Sequence, residues 1–338
     1  MGFKDLFFKD RNGKLTARSL LQGEVARKGF KLFLCFAIIL PLLVAVKPVW
    51  AEKIKTVVWY PALTKPYSSV FDEILLGIRN HSKGLTLEIP INAASHADMR
   101  HYKSNDPFID PVIVLGQQAI QLAGQFDQSH QFVAGAAYHP LLRDNFVFIS
   151  YHPSPKYVYR HLKSLFPSIV ALYVVFGPTS NQWLKSVALK EAQAEGINLK
   201  YSETRSLRES AQVMRRIIQG IDAKKEAIWI IPDQSVIDDK VIVPYLLSEA
   251  WEKNVVVISN SLAHVDRGML FALYPDNVRL GEKMVDISRQ IALGRYKGPK
   301  IQALDELKYA INVRTAKHLG LELDQARLKR YDLVFPQR

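Results

Sequence analysis

Polar and aromatic side chains recur at one kind of place in this sequence, directly after short apolar runs. Glycine, hydroxyl, amide and tyrosine groups dominate these places, and charged groups are few. Such groups form hydrogen bonds or stack on flat ligands, but none of them forms an evident pair of nucleophile and base. The set comprises Tyr60, Gly116, Gln117, Tyr138, Thr179, Ser180, Asp233, Asn260 and Tyr274. Their types predict ligand binding and no catalytic residue.

Motifs typical of catalysis or cofactor binding are missing from the sequence. It contains no GxGxxG, GxxxxGK[ST], HExxH, GxSxG or CxxC pattern. These are the usual signatures of dinucleotide, nucleoside triphosphate, zinc-protease, hydrolase and thiol-redox sites. His96 and His101 are five residues apart, a spacing that two zinc ligands can have, but no CxxC pair accompanies them. We therefore predict no metal and no cofactor.

The elements that position these residues alternate between short β-branched or aromatic runs and amphipathic stretches. The predicted strands are 55–59, 86–91, 112–115, 131–134, 146–149, 171–176, 198–201, 227–231, 255–259 and 269–273. The predicted helices are 68–82, 117–125, 180–195, 207–221, 240–253 and 277–293, with a poorly patterned turn at 95–103. This alternation predicts an α/β fold of parallel βαβ units with helices on the faces of the sheets.

The alternation pauses at Ser150–Pro155 and then starts again. We interpret this pause as a crossing between two lobes, because a chain of 338 residues exceeds the usual size of a single core. Ligands of open parallel sheets gather outside the carboxyl ends of the strands. The nine residues above are therefore predicted to line a cleft between the lobes. Each also has a simpler explanation, such as a tight turn, a helix cap or interlobe packing.

The N-terminal segment has the parts of a secretory signal. Leu32–Val46 is a run of fifteen uncharged residues, preceded by Arg27, Lys28 and Lys31 and followed by Val49-Trp50-Ala51. The run is shorter than the roughly 20 residues that a transmembrane helix needs. We predict that residues 1–51 are a signal peptide with a long basic n-region and that the protein is periplasmic. An uncleaved membrane anchor is the alternative.

Charge argues against nucleic acid as a partner. The chain has 45 Lys and Arg against 32 Asp and Glu, a net charge of +13. Residues 1–51 hold nine of the basic and three of the acidic residues, so they carry +6 and leave +7 for residues 52–338. Those remaining basic residues are scattered and do not cluster with aromatic residues. The only cysteine, Cys35, lies inside the apolar run and is absent from a cleaved chain.

The most specific pattern is near the C-terminus, where residues 311–321 read INVRTAKHLGL. This segment resembles the "INxxTAxxLGL" tail of the ABC transporter substrate-binding protein family that includes the tryptophan/tyrosine-type binders. Further similar segments are Tyr60-Pro61-Ala62-Leu63, Val114-Leu115-Gly116, Phe166-Pro167, Gly177-Pro178, Trp229-Ile230-Ile231-Pro232-Asp233 and Tyr274-Pro275-Asp276. The resemblance extends over nearly all of the chain after Glu52.

The resemblance implies a periplasmic-binding-protein type I fold, in which two doubly wound parallel-sheet lobes joined by a three-strand hinge close on a ligand. It places residues 52–150 and about 275–297 in an N-terminal lobe, and residues 151–274 and about 298–338 in a C-terminal lobe. Tyr138-His139-Pro140 stands where family members often carry Asp-Pro. One carboxylate that could bind an α-ammonium is thus missing, which leaves the ligand class open.

Three functions compete on this basis. The first is an exported binding protein that delivers a small organic solute to an ABC permease. In it Tyr60, Tyr138 and Tyr274 stack on the ligand, while Asp233 and Asn260 orient it. Gly116-Gln117 and Thr179-Ser180 supply hydrogen-bond donors. The second is a periplasmic sensor subunit that signals through a membrane kinase or cyclase. The third, an enzyme on the same lobes, lacks a visible catalytic constellation.

Overall fold

The computed structural model describes residues 7–9, 15–17, 56–65, 68–82, 86–92, 111–126, 129–177 and 182–337. The chain divides into two compact units, Met1–Lys53 and Ile54–Arg338. In the first unit, β1 (Phe7–Lys9) and β2 (Leu15–Ala17) pair as an antiparallel hairpin. The predicted signal run Leu32–Val46 lies outside the described residues. Among the residues that are described, no helix is long and apolar enough to span a membrane.

The second unit repeats strands and helices along the chain. Its first series is β3 (Thr56–Pro61), α1 (Ser69–Ser82), β4 (Thr86–Ile91), β5 (Val112–Leu115), α2 (Gly116–Ala123), β6 (Phe132–Ala137) and β7 (Phe146–Pro153). Its second series is α3 (Pro155–Leu165), β8 (Ala171–Phe176), α4 (Gln182–Ala194), β9 (Asn198–Glu203), α5 (Leu207–Gly220), β10 (Glu226–Ile230), α6 (Ile242–Lys253), β11 (Val256–Ser259), α7 (Leu262–Arg267) and β12 (Phe271–Pro275). The chain ends with α8 (Asn277–Ala292), β13 (Ile301–Leu304), β14 (Leu307–Asn312), α9 (Val313–His318), α10 (Gln325–Leu328) and β15 (Leu333–Phe335).

These strands form two sheets, which define two lobes. The first sheet has the order β13-β7-β6-β5-β3-β4 and the second β15-β14-β12-β11-β10-β8-β9. All neighbours pair in parallel except β12 and β14, which are antiparallel. Each sheet contains the doubly wound order in which the first strand lies between the second and the third. The predicted two-lobe, periplasmic-binding-protein type I-like fold is confirmed.

The chain passes between the two sheets after β7, after β12 and after β13. The predicted return to the C-terminal lobe at about 298 precedes β13, whose residues Ile301 and Gln302 pair with β7 of the first sheet. The apolar run Ile301–Leu304 is short and lies next to Gly298-Pro299, so nothing in its pattern marks it as an edge strand of the first sheet. We therefore propose that the third crossing lies at Asp305–Glu306.

Two layers of apolar side chains cover the first sheet. On one face, α1 and α8 pack on Val58, Ile113, Val133 and related strand residues, and α2 packs on the opposite face. The helices α1 and α8 approach each other unusually closely at two glycines. A Cβ atom on Gly77 would lie 1.9 Å from the carbonyl oxygen of Val278, and one on Gly281 would lie 2.2 Å from that of Ile74. No side chain fits at either position without moving a helix.

The second sheet is covered in the same way. The side chains of α3 and α4 pack on one face, around Trp229 and Leu270, and those of α5 and α6 on the other, around Ile228 and Val257. Ser206 caps α5, with its side chain accepting from the amide of Glu209. Strand faces that are buried on both sides explain why β8 and β10 read as continuous apolar runs.

His161 of α3 lies in an aromatic cluster at the edge of this core. Its ring is edge-on to Phe271 at 4.6 Å, to Tyr309 at 5.0 Å and to Tyr331 at 5.5 Å between centroids. Its Nε2 atom is 3.2 Å from the hydroxyl of Tyr331. Burial lowers the pKa of His161 to about 4, because the charged imidazolium would lose its hydration. The side chain is therefore neutral in the folded protein at neutral pH.

We expect this histidine to make the fold sensitive to acid. In the unfolded chain His161 binds a proton below a pKa of about 6.5, whereas in the folded chain it binds one only below about pH 4. Stability is thus complete above pH 6.5 and falls as the pH falls, by about 2 kcal/mol at pH 5. Urea unfolding at pH 7.5 and pH 5 should show this loss in the wild type and a clearly smaller loss in His161→Gln. Equal losses in both proteins would contradict the expectation.

Candidate functional site

The three crossings start at the carboxyl ends of β7, β12 and β13, so these ends of the two sheets lie next to the region between the lobes. In doubly wound sheets the binding crevice forms where the strand order reverses. Here that point lies between β3 and β5 in the first sheet and between β8 and β10 in the second. Tyr60 and Gly116-Gln117 end the first pair of strands, and Asp233 follows β10. Thr179 and Ser180, which follow β8, lie outside the described residues.

The turn from β5 to α2 depends on Gly116. Its φ is +77°, in the left-handed region, and an added Cβ would lie 3.2 Å from the ring of Phe71. Only glycine adopts this conformation without strain. Gln117 is exposed in the first turn of α2, and no side chain caps this helix. The first-turn amides of α2 therefore lie at the switch point without a side-chain cap, and the role of Gly116-Gln117 as donors to a ligand stays a prediction.

Tyr60 occupies a different environment from the one predicted. It is half-buried and packs on the core between the first sheet and α1, beside Val70 and Phe71. Burial first, and then the charge of Glu88, raise the pKa of its hydroxyl. The ring therefore contributes to packing at the end of β3, and any ligand contact would be made by its edge.

Tyr138 stands at the end of β6, behind an irregularity in the strand. The pairing of β6 with β7 shifts register between Ala134 and Ala137, and Ala136 has a φ of +55°. A bulge of this kind often re-aims a side chain beside a functional site, and left-handed backbone at an alanine is strained. Tyr138 is 45% exposed, yet burial raises the pKa of its hydroxyl. The ring is therefore partly accessible to solvent, while its hydroxyl lies close to protein atoms.

An aromatic series extends from Tyr138 to the second lobe. Its ring contacts that of Tyr151 at 5.6 Å and that of His152 at 4.7 Å. His152 in turn lies 6.1 Å from Trp183, in the first turn of α4. The indole Nε1 of Trp183 is buried and has no hydrogen-bond partner in the described part of the chain. Aromatic rings and the indole donor of Trp183 thus lie together where the chain crosses between the lobes after β7.

A hydrogen-bond chain links three elements at the same crossing. The hydroxyl of Tyr151 donates to Oδ1 of Asn277 at 2.6 Å, and Nδ2 of Asn277 donates to Oε2 of Glu73 at 2.8 Å. Burial raises the pKa of Tyr151 well above its usual range, so the phenol stays protonated and acts as the donor. Asn277 is the first residue of α8, and Glu73 is an exposed carboxylate on α1. These two hydrogen bonds hold the carboxylate of Glu73 beside the interlobe region.

Tyr274 lies at the end of β12 and is also near this carboxylate. Burial raises the pKa of its hydroxyl to about 12, with smaller contributions from Asp332, Asp276 and Glu73. Its ring packs on the small core around Val265 and Ala272. The half-buried phenol is therefore a neutral donor close to both the second and the third crossing.

Asn260 follows β11 and is held by the core of the second lobe. Its Oδ1 accepts from Nε1 of Trp229 at 2.9 Å, so its amide nitrogen is turned away from Trp229. That nitrogen, Nδ2, is buried and has no partner among the described residues. Buried donors without a partner are rare and costly in folded proteins, which makes Asn260 a second candidate donor for a ligand.

Asp233 has a local structural role. Its Oδ1 accepts from the amide of Ser235 at 3.0 Å and from the hydroxyl of the same serine at 2.6 Å. Its carbonyl also accepts from the amides of Val236 and Ile237. These bonds form the turn that follows β10, so the predicted role in orienting a ligand competes with the role in the turn.

A serine, a histidine and an aspartate form a hydrogen-bonded row in the second lobe. Oγ of Ser259 lies 2.8 Å from Nδ1 of His264, whose Nε2 lies 2.9 Å from Oδ1 of Asp239. Ser259 and His264 are both only 1% exposed, and the serine hydroxyl is also 3.0 Å from the carbonyl oxygen of Ile230. A nucleophile must reach its substrate, so this row is a structural link between β11, α7 and the loop before α6.

The described residues of the predicted set lie at strand ends or shortly after them. Gly116-Gln117, Tyr138 and Asn260 follow β5, β6 and β11, and Tyr274 lies near the end of β12, whereas Tyr60 packs on the core and Asp233 forms a turn. Their roles in ligand binding stay predictions. Sequence reasoning missed Glu73, Tyr151, His152, Trp183 and Asn277. The sequence pattern predicts Asn277 only as the start of a helix, and it predicts Tyr151 and His152 only as part of the segment between two series of elements. The polar side chains of Tyr151 and His152 next to Pro153 could have indicated a functional position. Glu73 and Trp183 are helix residues without any distinctive spacing.

Comparison with known proteins gives the family. A family model described as ABC transporter substrate binding protein matches residues 159–334, which is more than half of the 338 residues. The chain belongs to the ABC transporter substrate-binding protein family. This is a family of binding proteins and not of enzymes, in agreement with the buried state of the Ser259 row. No curated protein matches the sequence significantly.

Solved structures of this family have the same fold. The chain is similar to a ligand-free, open substrate-binding protein with adhesive properties from Clostridium difficile, with 17% identity, a TM-score of 0.57 and coverage of 83% of this chain and 99% of that one. It also matches an ABC domain in complex with L-Trp from Streptococcus pneumonia, with 18% identity, a TM-score of 0.49 and coverage of 83% and 100%. The first of these two likenesses supports the fold alone, and the ligand of this protein stays open.

Proposed function

We propose that this ABC transporter substrate-binding protein captures a small organic solute between its lobes and delivers it to an ABC permease outside the cytoplasmic membrane. The aromatic series from Tyr138 through His152 to Trp183 supports this proposal most directly. It joins the two lobes at a crossing, and Tyr138 keeps 45% of its surface accessible. A flat solute that stacks on Tyr138 would contact both lobes, and contact with both lobes favours the closed form.

The polar groups suggest how the solute is oriented. The side-chain nitrogens of Trp183 and Asn260, which have no partner among the described residues, are donors for acceptor atoms of the solute, and the amides of Gly116-Gln117 are further donors. Glu73, held by Asn277, is the carboxylate for any positively charged group of the solute. It compensates for the absence of the family's Asp-Pro at Tyr138-His139-Pro140. Thr179 and Ser180 keep their proposed role as donors from the second lobe.

A sensor role is the second candidate. The replacement of Asp-Pro by His139-Pro140 changes the strand end that precedes the bulged Tyr138, which would suit a different ligand or a different partner. In that case the closed form would dock on a membrane kinase or cyclase. Neighbouring genes distinguish the two proposals, since a permease and an ATPase accompany transport and a signalling protein accompanies sensing.

Thermal unfolding against a library of amino acids, purines, small acids and sugars tests capture of a solute. A solute at about 100 times its dissociation constant should stabilise the protein by about 2.7 kcal/mol, which is on the order of 6 °C or more at this size. We expect one chemical class to raise the melting temperature. If no class does so for folded, ligand-free protein, solute capture is refuted and a protein partner should be sought.

A matched pair of variants locates the binding site. Tyr138→Ala should abolish most of the ligand-induced rise, because the stacking surface is lost. Leu142→Ala removes an apolar side chain that is 75% exposed four residues further along the same lobe, and the rise should persist. A rise of equal size in both variants would place the solute away from the aromatic series.

A further inference from the structure

A second pocket lies within the C-terminal lobe, away from the interlobe region. It has a volume of about 380 Å³ and lies between α3, β14 and the C-terminal segment. Its strand residue Tyr309 pairs with Leu273 of β12, and its floor includes His161. His161 contacts Phe271, which begins β12, whereas Tyr274 lies near the other end of that strand. A pocket of this size fits a small organic ligand.

The floor of the pocket is uncharged and aromatic. The ring of His161 stands edge-on to the rings of Tyr309 and Tyr331, and Leu165, Leu321 and Leu323 complete the walls. Burial keeps His161 neutral, and burial also raises the pKa of Tyr331 to about 12. At neutral pH this part of the pocket therefore favours an apolar or aromatic body.

The mouth of the pocket is positively charged. Arg327 and Arg330 both line it, and both are exposed. Their charges act on the Tyr331 hydroxyl, lowering its pKa against the effect of burial, so both guanidinium groups lie near that phenol. Arg327 donates to the carbonyl oxygen of Glu322 at 3.2 Å. Within the described part of the chain, neither arginine forms an ion pair with a carboxylate.

We propose that this pocket binds a small organic carboxylate, with its flat apolar body on the rings and its carboxylate at Arg327 and Arg330. A guanidinium is the side chain best suited to a carboxylate, because it offers parallel donors in a planar fork. The site is independent of the proposed interlobe solute site, since the two share no residue. A second ligand in the C-terminal lobe would give this protein an input separate from the solute it carries.

The test uses 4-fluorobenzoate as the probe, observed by ¹⁹F NMR line broadening in the presence of the purified protein. Binding should be detected at about 5 mM or below, an affinity that the usual ligand efficiency allows a probe of this size. The neutral analogue 4-fluorobenzamide should bind at least about tenfold more weakly, because it cannot form charge-assisted hydrogen bonds. Equal binding of acid and amide, or no binding of the acid, would overturn the proposal.

Variants with matched charge assign the probe to the pocket. Arg327→Gln/Arg330→Gln should weaken binding by about tenfold or more, whereas Lys297→Gln/Lys329→Gln loses the same charge on exposed residues outside the pocket and should bind normally. If the double arginine variant melts early, Arg330→Gln alone serves, since its side chain makes no hydrogen bond within the described chain. Normal binding by Tyr138→Ala is also expected, and a loss there would place the probe between the lobes and overturn the proposal.

Discussion

Gly281→Ala is expected to lower the free energy of unfolding by about 3 kcal/mol, with little dependence on pH. The added Cβ would lie 2.2 Å from the carbonyl oxygen of Ile74 and 2.9 Å from the amide nitrogen of Ile78. Both atoms belong to the backbone of α1, so no side chain can rotate away and the two helices must separate. Separation would open the core between these helices and the first sheet, which is overpacking of the most costly kind.

Gly220→Ala is the matched control for this prediction. Gly220 ends α5, and no atom lies within 4 Å of the position of its Cβ. Alanine there should leave stability unchanged or raise it by about 0.5–1 kcal/mol through its helix preference. The measurement is the midpoint of urea unfolding for both variants. A midpoint for Gly281→Ala that equals that of Gly220→Ala would show that the helices are not in close contact at this glycine.

The two-lobe fold was predictable because its strands are short apolar runs between well-marked helices. β4, β5 and β8 have the predicted bounds, and α8 begins at the predicted Asn277. The missed elements are those whose pattern is set by tertiary contacts. Strand β13 is only partly buried over most of its length and pairs at the edge of the sheet, and α3 follows a Pro-rich segment that was interpreted as a pause.

The sequence predicted only those residues of the functional site that lie at the carboxyl ends of strands. Parallel strands bring their carboxyl ends to one edge, which placed Tyr138, Asn260 and Tyr274 near the crossings without any knowledge of contacts. Glu73 is brought there by a bond from Asn277, which is 204 residues away along the chain, and Trp183 by the packing of α4. Contacts between residues that are far apart along the chain leave no spacing in the sequence. The bulge at Ala136 has no sequence signal either, because alanine is not a residue that favours left-handed backbone.

The hydrogen-bonded row of Ser259, His264 and Asp239 has a geometry that would suit either a structural or a catalytic role. In a structural row the histidine is a buried link between β11 and the loop before α6, and its removal leaves a cavity and costs two hydrogen bonds. In a catalytic row the histidine would be dispensable for folding and essential for turnover. We expect the structural behaviour, with His264→Ala lowering the free energy of unfolding by about 3 kcal/mol.

Ser259→Ala and Ser261→Ala complete the comparison. Ser259→Ala should cost about 1–2 kcal/mol, since its hydroxyl bonds His264 and the carbonyl oxygen of Ile230. Ser261→Ala should cost less than about 0.5 kcal/mol, because the Ser261 side chain does not cap α7. Hydrolysis of p-nitrophenyl acetate by the wild type and by Ser259→Ala should be equal, because a side chain that is 1% exposed cannot reach an ester. Faster hydrolysis by the wild type, together with undiminished stability of His264→Ala, would instead establish a catalytic row within this binding-protein fold.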